Sequence, residues 1–173
     1  MQEKVIALGK TYSFRLSHIL WIASFAVPFL ISGPQLLTGT FVNLILIFAA
    51  SRYSGKNLLP VIFLPSIAAV SHGVVFGPLT PFLIYFLPFI WVGNAILVGI
   101  FKINTIKSSY VRILLGSMLK AGFLFAAASI YFKFHLVPPL FITSMGLIQL
   151  ITALLGGIFA LVILKTLITN ERG

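Results

Sequence analysis

The sequence predicts an all-α membrane protein: a single helical bundle of six transmembrane helices, with both termini in the cytoplasm. Three observations carry that expectation. Of the 173 residues, 60% are hydrophobic and only 8% are charged, against about 25% charged in a soluble domain. Six apolar segments approach the roughly 20 residues that a bilayer-crossing helix needs. Lys and Arg gather on alternate connections, as the positive-inside rule requires.

The six spans are expected at 16–31, 36–51, 57–76, 79–101, 111–132 and 140–165. The first is short, but Trp21 and the flanking Lys10 and Arg15 suit an interfacial start. No small-x-small site follows its apolar run, so no cleaved signal is expected. The third span carries Pro60 and Pro65, and the fourth carries Pro81 and Pro88. Kinks are expected there, since proline withholds a backbone donor and crowds the preceding turn. Ser32-Gly33-Pro34, Gly77-Pro78 and Pro138-Pro139 mark loops. No linker is long enough to divide the chain, so residues 1–173 read as one domain. Gly122 with Ala126, and Ala153 with Gly157, are small-x-x-x-small pairs that suit helix packing.

The cations sort by side. Lys4, Lys10, Arg15, Arg52, Lys56, Lys102, Lys107, Arg112, Lys165 and Arg172 fall on one side, and Lys133 falls on the other. Lys120 lies inside a span. An even number of spans requires termini on one side, in agreement with the charge count. The formal net charge of +10 is therefore a cytoplasmic collar facing anionic lipid, and no nucleic-acid partner is expected.

Missing residue types exclude chemistry. The chain has no Cys and no Asp, and its two Glu residues are Glu3 and Glu171 at the termini. A carboxylate proton relay, a two-carboxylate mechanism and an Asp-held catalytic metal are excluded. So is ATP hydrolysis by this chain, which lacks a phosphate-binding G-x-x-x-x-G-K-[ST]. Ser66, Ser71 and His72 lie close in sequence without forming a nucleophile motif, and the chain is not expected to be an enzyme. Two histidines without a carboxylate or thiolate make a poor metal site, so neither metal nor other cofactor is expected.

Depth along the helices gathers the polar residues into two layers. Asn43 lies nine residues before Arg52, Asn94 eight before Lys102, and Lys120 eight after Arg112. At 1.5 Å per residue all three sit about 12–14 Å above the inner boundary, near mid-membrane, where they should face one another or a cavity. His72, Tyr85 and Gln149 lie about 24–26 Å up, with His135 in the nearby fifth-to-sixth loop. Together with Gln35 they would form an outward-facing pocket on an aromatic-rich wall. Each group also has a plainer reading. Asn43 and Asn94 could serve as interhelical glue. Lys120 could snorkel, stay neutral, bind carbonyls freed at a proline kink, or hold an anionic ligand. His72 and His135 could simply finish helix ends.

Several stretches carry a family resemblance. They are L-T-G-T-F-V-N-L-I-L at 37–46, L-P-S-I-A-A-V-S-H-G at 64–73, P-F-I-W-V-G-N-A-I-L-V at 88–98 and Leu119-Lys120-Ala121-Gly122. The pattern covers about half the chain, residues 36–125. It resembles small six-helix membrane proteins grouped with the substrate-binding S components of energy-coupling factor (ECF) importers. The resemblance implies capture of a vitamin-like micronutrient in the outer half. It also implies a transmembrane coupling subunit and two cytoplasmic ATPases as partners. S components often dock through an A-x-x-x-A-type motif on the first span; here Ala23 and Ala26 are three apart, and the first loop is short.

The expected function is thus a substrate-capture subunit for a small, anionic, vitamin-like molecule. The expected binding residues are Lys120, Asn43, Asn94, His72, Tyr85, Gln149 and His135. The alternatives are a non-transporting structural subunit of a membrane complex and a solitary small-molecule carrier.

Overall fold

The computed structural model describes residues 2–31, 34–73 and 76–170, with side chains from Leu16 onward except at 168 and 170. The side chains of Glu3, Lys4, Lys10 and Arg15, all of Glu171 and Arg172, and Ser32 and Gly33 of the first loop lie outside the described set. Seven α-helices follow in order: α1 (Gln2–Leu30), α2 (Gln35–Arg52), α3 (Leu59–His72), α4 (Leu87–Phe101), α5 (Ser109–Lys133), α6 (Leu140–Met145) and α7 (Leu147–Asn170). Short 3₁₀ helices, Gly55–Leu58 and Gly77–Phe86, lead into α3 and α4. The described residues contain no β-strand.

Four segments are long and apolar enough to cross a bilayer: Gln35–Arg52, Gly77–Phe101, Ser109–Lys133 and Leu140–Leu167. Large apolar side chains point outward along the bundle, among them Ile22, Leu30, Ile130 and Val162. Such a surface is consistent with a membrane protein and would be costly in water. Of the other two expected spans, the first lies within the 29-residue α1 and the third in the shorter α3. Among the residues with described side chains, the apolar stretch of α1 is Leu16–Leu30. Helix α3 has 14 residues, about 21 Å at 1.5 Å each, against a hydrocarbon core of about 30 Å.

Proline and glycine chemistry explains where the elements depart from the sequence expectation. Pro60 and Pro88 sit in the first turns of α3 and α4, where a missing N–H leaves no hydrogen bond unmade. They start helices instead of kinking them. Pro65 does lie inside α3, and Pro81 lies within the 3₁₀ run. Helix α3 stops at Gly73, whose left-handed φ of 76° ends it one turn early. The expected last span is broken into α6 and α7 at Gly146 (φ −95°, ψ −94°). A Cβ there would come 2.9 Å from Phe125 Cδ2 of α5, so the break lies where two chain segments touch closely.

Helix α2 packs most extensively on α7, α4 on α5, and α1 on α3. Two apolar clusters result. One holds Leu46, Ile47, Val61, Leu97 and Ile113. The other holds Phe86, Leu124, Phe141 and Met145, with Phe86 and Phe141 stacked at 5.2 Å. Along α4 and α5 the residues between these clusters are polar: Asn94 and Lys120. The fold therefore sets a polar layer between two apolar floors.

Helices α2 and α7 meet at Gly156. A Cβ on that residue would lie 2.4 Å from the Thr40 carbonyl oxygen and 2.7 Å from the Leu44 nitrogen. Gly157 faces the other way, against Ile113 of α5. Gly122 has no atom within 4 Å of a built Cβ, and Ala126 beside it is exposed. Of the two small-residue pairs, the one on α7 is used within the chain and the one on α5 faces outward. Gly156→Ala should thus cost about 1–3 kcal/mol through overpacking, while Gly122→Ala should stay within about 0.5 kcal/mol of the wild type. Thermal unfolding in detergent would check both, and equal behaviour of the two variants would contradict the α2–α7 packing.

Candidate functional site

Lys120 is 2% exposed in the middle of α5. Its Nζ donates to Asn43 Oδ1 at 2.6 Å and to Asn94 Oδ1 at 2.8 Å. Both asparagines are 1% exposed. Each amide is turned so that its carbonyl meets the amine and its NH₂ finds another acceptor. Asn43 Nδ2 donates to the Gly39 carbonyl at 2.8 Å and to Thr152 Oγ1 at 3.3 Å. Asn94 Nδ2 donates to the Ile62 carbonyl at 2.9 Å. One amine thereby ties together α2, α3, α4, α5 and α7.

The chemistry of this arrangement is unusual for a buried cation site. Among the residues with described side chains there is no carboxylate. An ammonium has three donors, and two are spent on neutral amide oxygens. Lys120 also lines a cavity. That cavity has a volume of about 80 Å³, and Asn43, Asn94, Gln35 and Gln149 also border it. Thr38 and Ser66 add hydroxyls, and the rest of the wall is largely apolar, including Pro65, Ala69, Leu83, Ile90 and Met145. A water needs at least about 10–15 Å³ of such space. The cavity as it stands has room for several waters or a compact group, and falls short of the roughly 300–1,000 Å³ of a drug-sized pocket.

The seven residues expected at the site separate in the structure. Lys120, Asn43 and Asn94 meet, as their common depth implied, and Gln149 joins them on the cavity wall. His72, Tyr85 and His135 are exposed and border no part of this cavity. The His72 ring lies edge-on to Phe29 at 5.1 Å. Tyr85 is 55% exposed, with its ring 6.5 Å from Tyr131. His135 takes a left-handed φ of 56° in the loop after α5. The physical reason is angular. Height along a helix says how deep a residue sits, and the helix rotation decides which way it faces.

Thr152 and the Ser66–Trp91 pair went unnoticed in the sequence. Thr152 lies one turn before Gly156 on α7, and a Cβ on Gly39 would come 3.0 Å from its Cγ2, so the spacing to Gly156 was the available signal. Trp91 Nε1 donates to Ser66 Oγ at 2.8 Å, and Ser66 borders the cavity. Gln35 Nε2 donates to the Ser144 carbonyl at 3.0 Å, securing the cavity rim to the end of α6.

Removing one acceptor and removing the amine should not be additive. Asn94→Leu leaves a buried N–H of Lys120 unmatched, for about 1–3 kcal/mol. Lys120→Met removes the donor itself, and in that background Asn94→Leu should cost at least about 1 kcal/mol less. A double-mutant cycle on unfolding in mixed micelles would measure this, and strict additivity would contradict the network. Against known proteins, no family model, no curated sequence and no solved structure matches the chain.

Proposed function

We propose that this protein is the substrate-capture membrane subunit of an importer of the ECF type. In this reading it has six membrane crossings and both termini in the cytoplasm, and it binds a small anionic, vitamin-like micronutrient. The observation that carries the reading is Lys120: a buried amine on a cavity wall, held by two neutral amides, in a membrane-embedded helix with no acid to balance it. An anion entering the cavity would supply both the missing counter-charge and the third hydrogen bond. Asn43 and Asn94 orient the amine, and Gln149 with Gln35 offers further hydrogen-bonding groups higher on the wall.

The cavity's small volume fixes what it can receive without opening. A carboxylate head fits about 80 Å³; the body of a vitamin-sized ligand requires the rim to part. The rim is built from the α6–α7 break and from the start of α2, where Gln35 meets Ser144. Sidedness is supported by Arg52, Lys102, Arg112 and Lys165, which line one groove at a single end of the bundle, in keeping with a cytoplasmic face. Energy would come from a transmembrane coupling subunit and two cytoplasmic ATPases, since the chain has no nucleotide-binding motif.

A second reading, a non-transporting structural subunit, is favoured by one feature. The Lys120–Asn43–Asn94 network already joins five helices, and such networks can exist for packing alone. A mild-detergent pull-down of the tagged protein from its own host separates the two. Co-purification of a helical membrane protein with two ATPases is the expected result. A stable protein arriving without any ATPase would overturn the importer reading and favour the structural one.

A further inference from the structure

The end of the bundle opposite the cavity carries a second feature. A groove of about 710 Å³ opens between the ends of α2, α4, α5 and α7. Four cations from four chain segments converge on it: Arg52, Lys102, Arg112 and Lys165, with Ser109 and Thr169 beside them. Among the described residues no acidic side chain lines it. A positive collar requires cations near the membrane surface; it does not require them to converge on one concavity, where they repel one another.

Two of the cations are held in place by backbone. Lys102 Nζ donates to the Ala50 carbonyl at 3.1 Å and to the Tyr53 carbonyl at 2.7 Å. That leaves one of its three donors unspent. Arg112 Nη1 donates to the Phe101 carbonyl and Nη2 to Ser109 Oγ, both at 2.8 Å. The guanidinium also rests over the Phe101 ring at 5.1 Å. Its Nε is buried and has no hydrogen-bond partner. A buried N–H without an acceptor is costly; being enclosed, it is not itself offered to a ligand, and what the groove presents is the four converging charges. Arg52 and Lys165 are exposed at the rim.

We propose that this groove binds a phosphate oxyanion, with Lys102 and Arg112 as the fixed floor and Arg52 and Lys165 as closing cations. A phosphate offers several acceptor oxygens and the negative charge the groove lacks. The shared chemistry has two possible sources: the headgroup of an anionic phospholipid lodged between helix ends, or a free phosphate from solution. The inference stands apart from the importer reading, because it uses none of the residues of the Lys120 cavity.

The test uses the full chain purified in neutral detergent and stripped of lipid. Native mass spectrometry and thermal shift would follow titration with short-chain phosphatidylglycerol, short-chain phosphatidylcholine and inorganic phosphate. The comparison protein is the Arg52→Gln/Lys165→Gln double variant, whose exposed positions should leave the unliganded melting temperature unchanged. Phosphatidylglycerol binding at least about tenfold tighter than phosphatidylcholine, weakened at least about tenfold in the variant and by added salt, is the result expected of a lipid site. Inorganic phosphate binding with the same loss in the variant supports the groove with a soluble source. If the wild type binds neither above the phosphatidylcholine level, or if the variant binds as tightly as the wild type, the proposal is overturned.

Discussion

Burying an amine in an apolar bundle without a carboxylate is the constraint on which the rest of this structure turns. A polar group taken out of water needs partners, and the spans offer no acid. The chain answers with two asparagines whose carbonyl oxygens close on Lys120 at 2.6 and 2.8 Å. Those amides in turn need acceptors for their own NH₂ groups, which they find at Gly39, Thr152 and Ile62. The geometry this demands reaches outward. Thr152 must lie against Gly39, which requires α7 close to α2, and Gly156 permits that closeness with its missing side chain.

The polar layer also divides the molecule. On one side lie an aromatic cluster around Phe86 and Phe141 and the small cavity above Lys120. On the other lie an aliphatic cluster and a basic groove where Lys102 and Arg112 cap the carbonyls of neighbouring helix ends. Cations at helix C-termini are favourable for the same reason anions are favourable at N-termini. The two ends thus present different chemistry: a single buried amine in an apolar cavity, and several converging cations at a water-accessible rim. The proposed roles, capture of a small anion and attraction of a phosphate, follow from that contrast.

Depth was legible in the sequence; direction was not. Counting residues from Arg52, Lys102 and Arg112 brought Asn43, Asn94 and Lys120 to one level, and the structure brings them into contact. The same count put His72, Tyr85 and Gln149 on a higher level, yet only Gln149 turns inward. Helix α3 ends at Gly73, so His72 sits on its final turn, and Tyr85 rides on a 3₁₀ segment whose 3.0-residue turn shifts its facing from that of an α-helix. The break at Gly146 was hidden because a lone glycine in an apolar run reads as packing. The close approach of Phe125 at that point is a tertiary contact, which the sequence does not display. Pro60 and Pro88 start α-helices because each span opens with a 3₁₀ segment, Gly55–Leu58 and Gly77–Phe86, a switch of helix type that an apolar run does not reveal.

The central claim is that Lys120 is a ligand-holding group and not only a packing device. The most direct measurement is the small-molecule content of the purified protein. Wild type and Lys120→Met would be purified in parallel and denatured, and the released compounds identified by mass spectrometry, with melting temperatures recorded alongside. An anionic compound present near one equivalent in the wild type and reduced at least about tenfold in the variant, with both proteins folded, is the predicted result. The same compounds released in equal amount from both, or none from either, would contradict the claim and leave Lys120 as the tie between five helices.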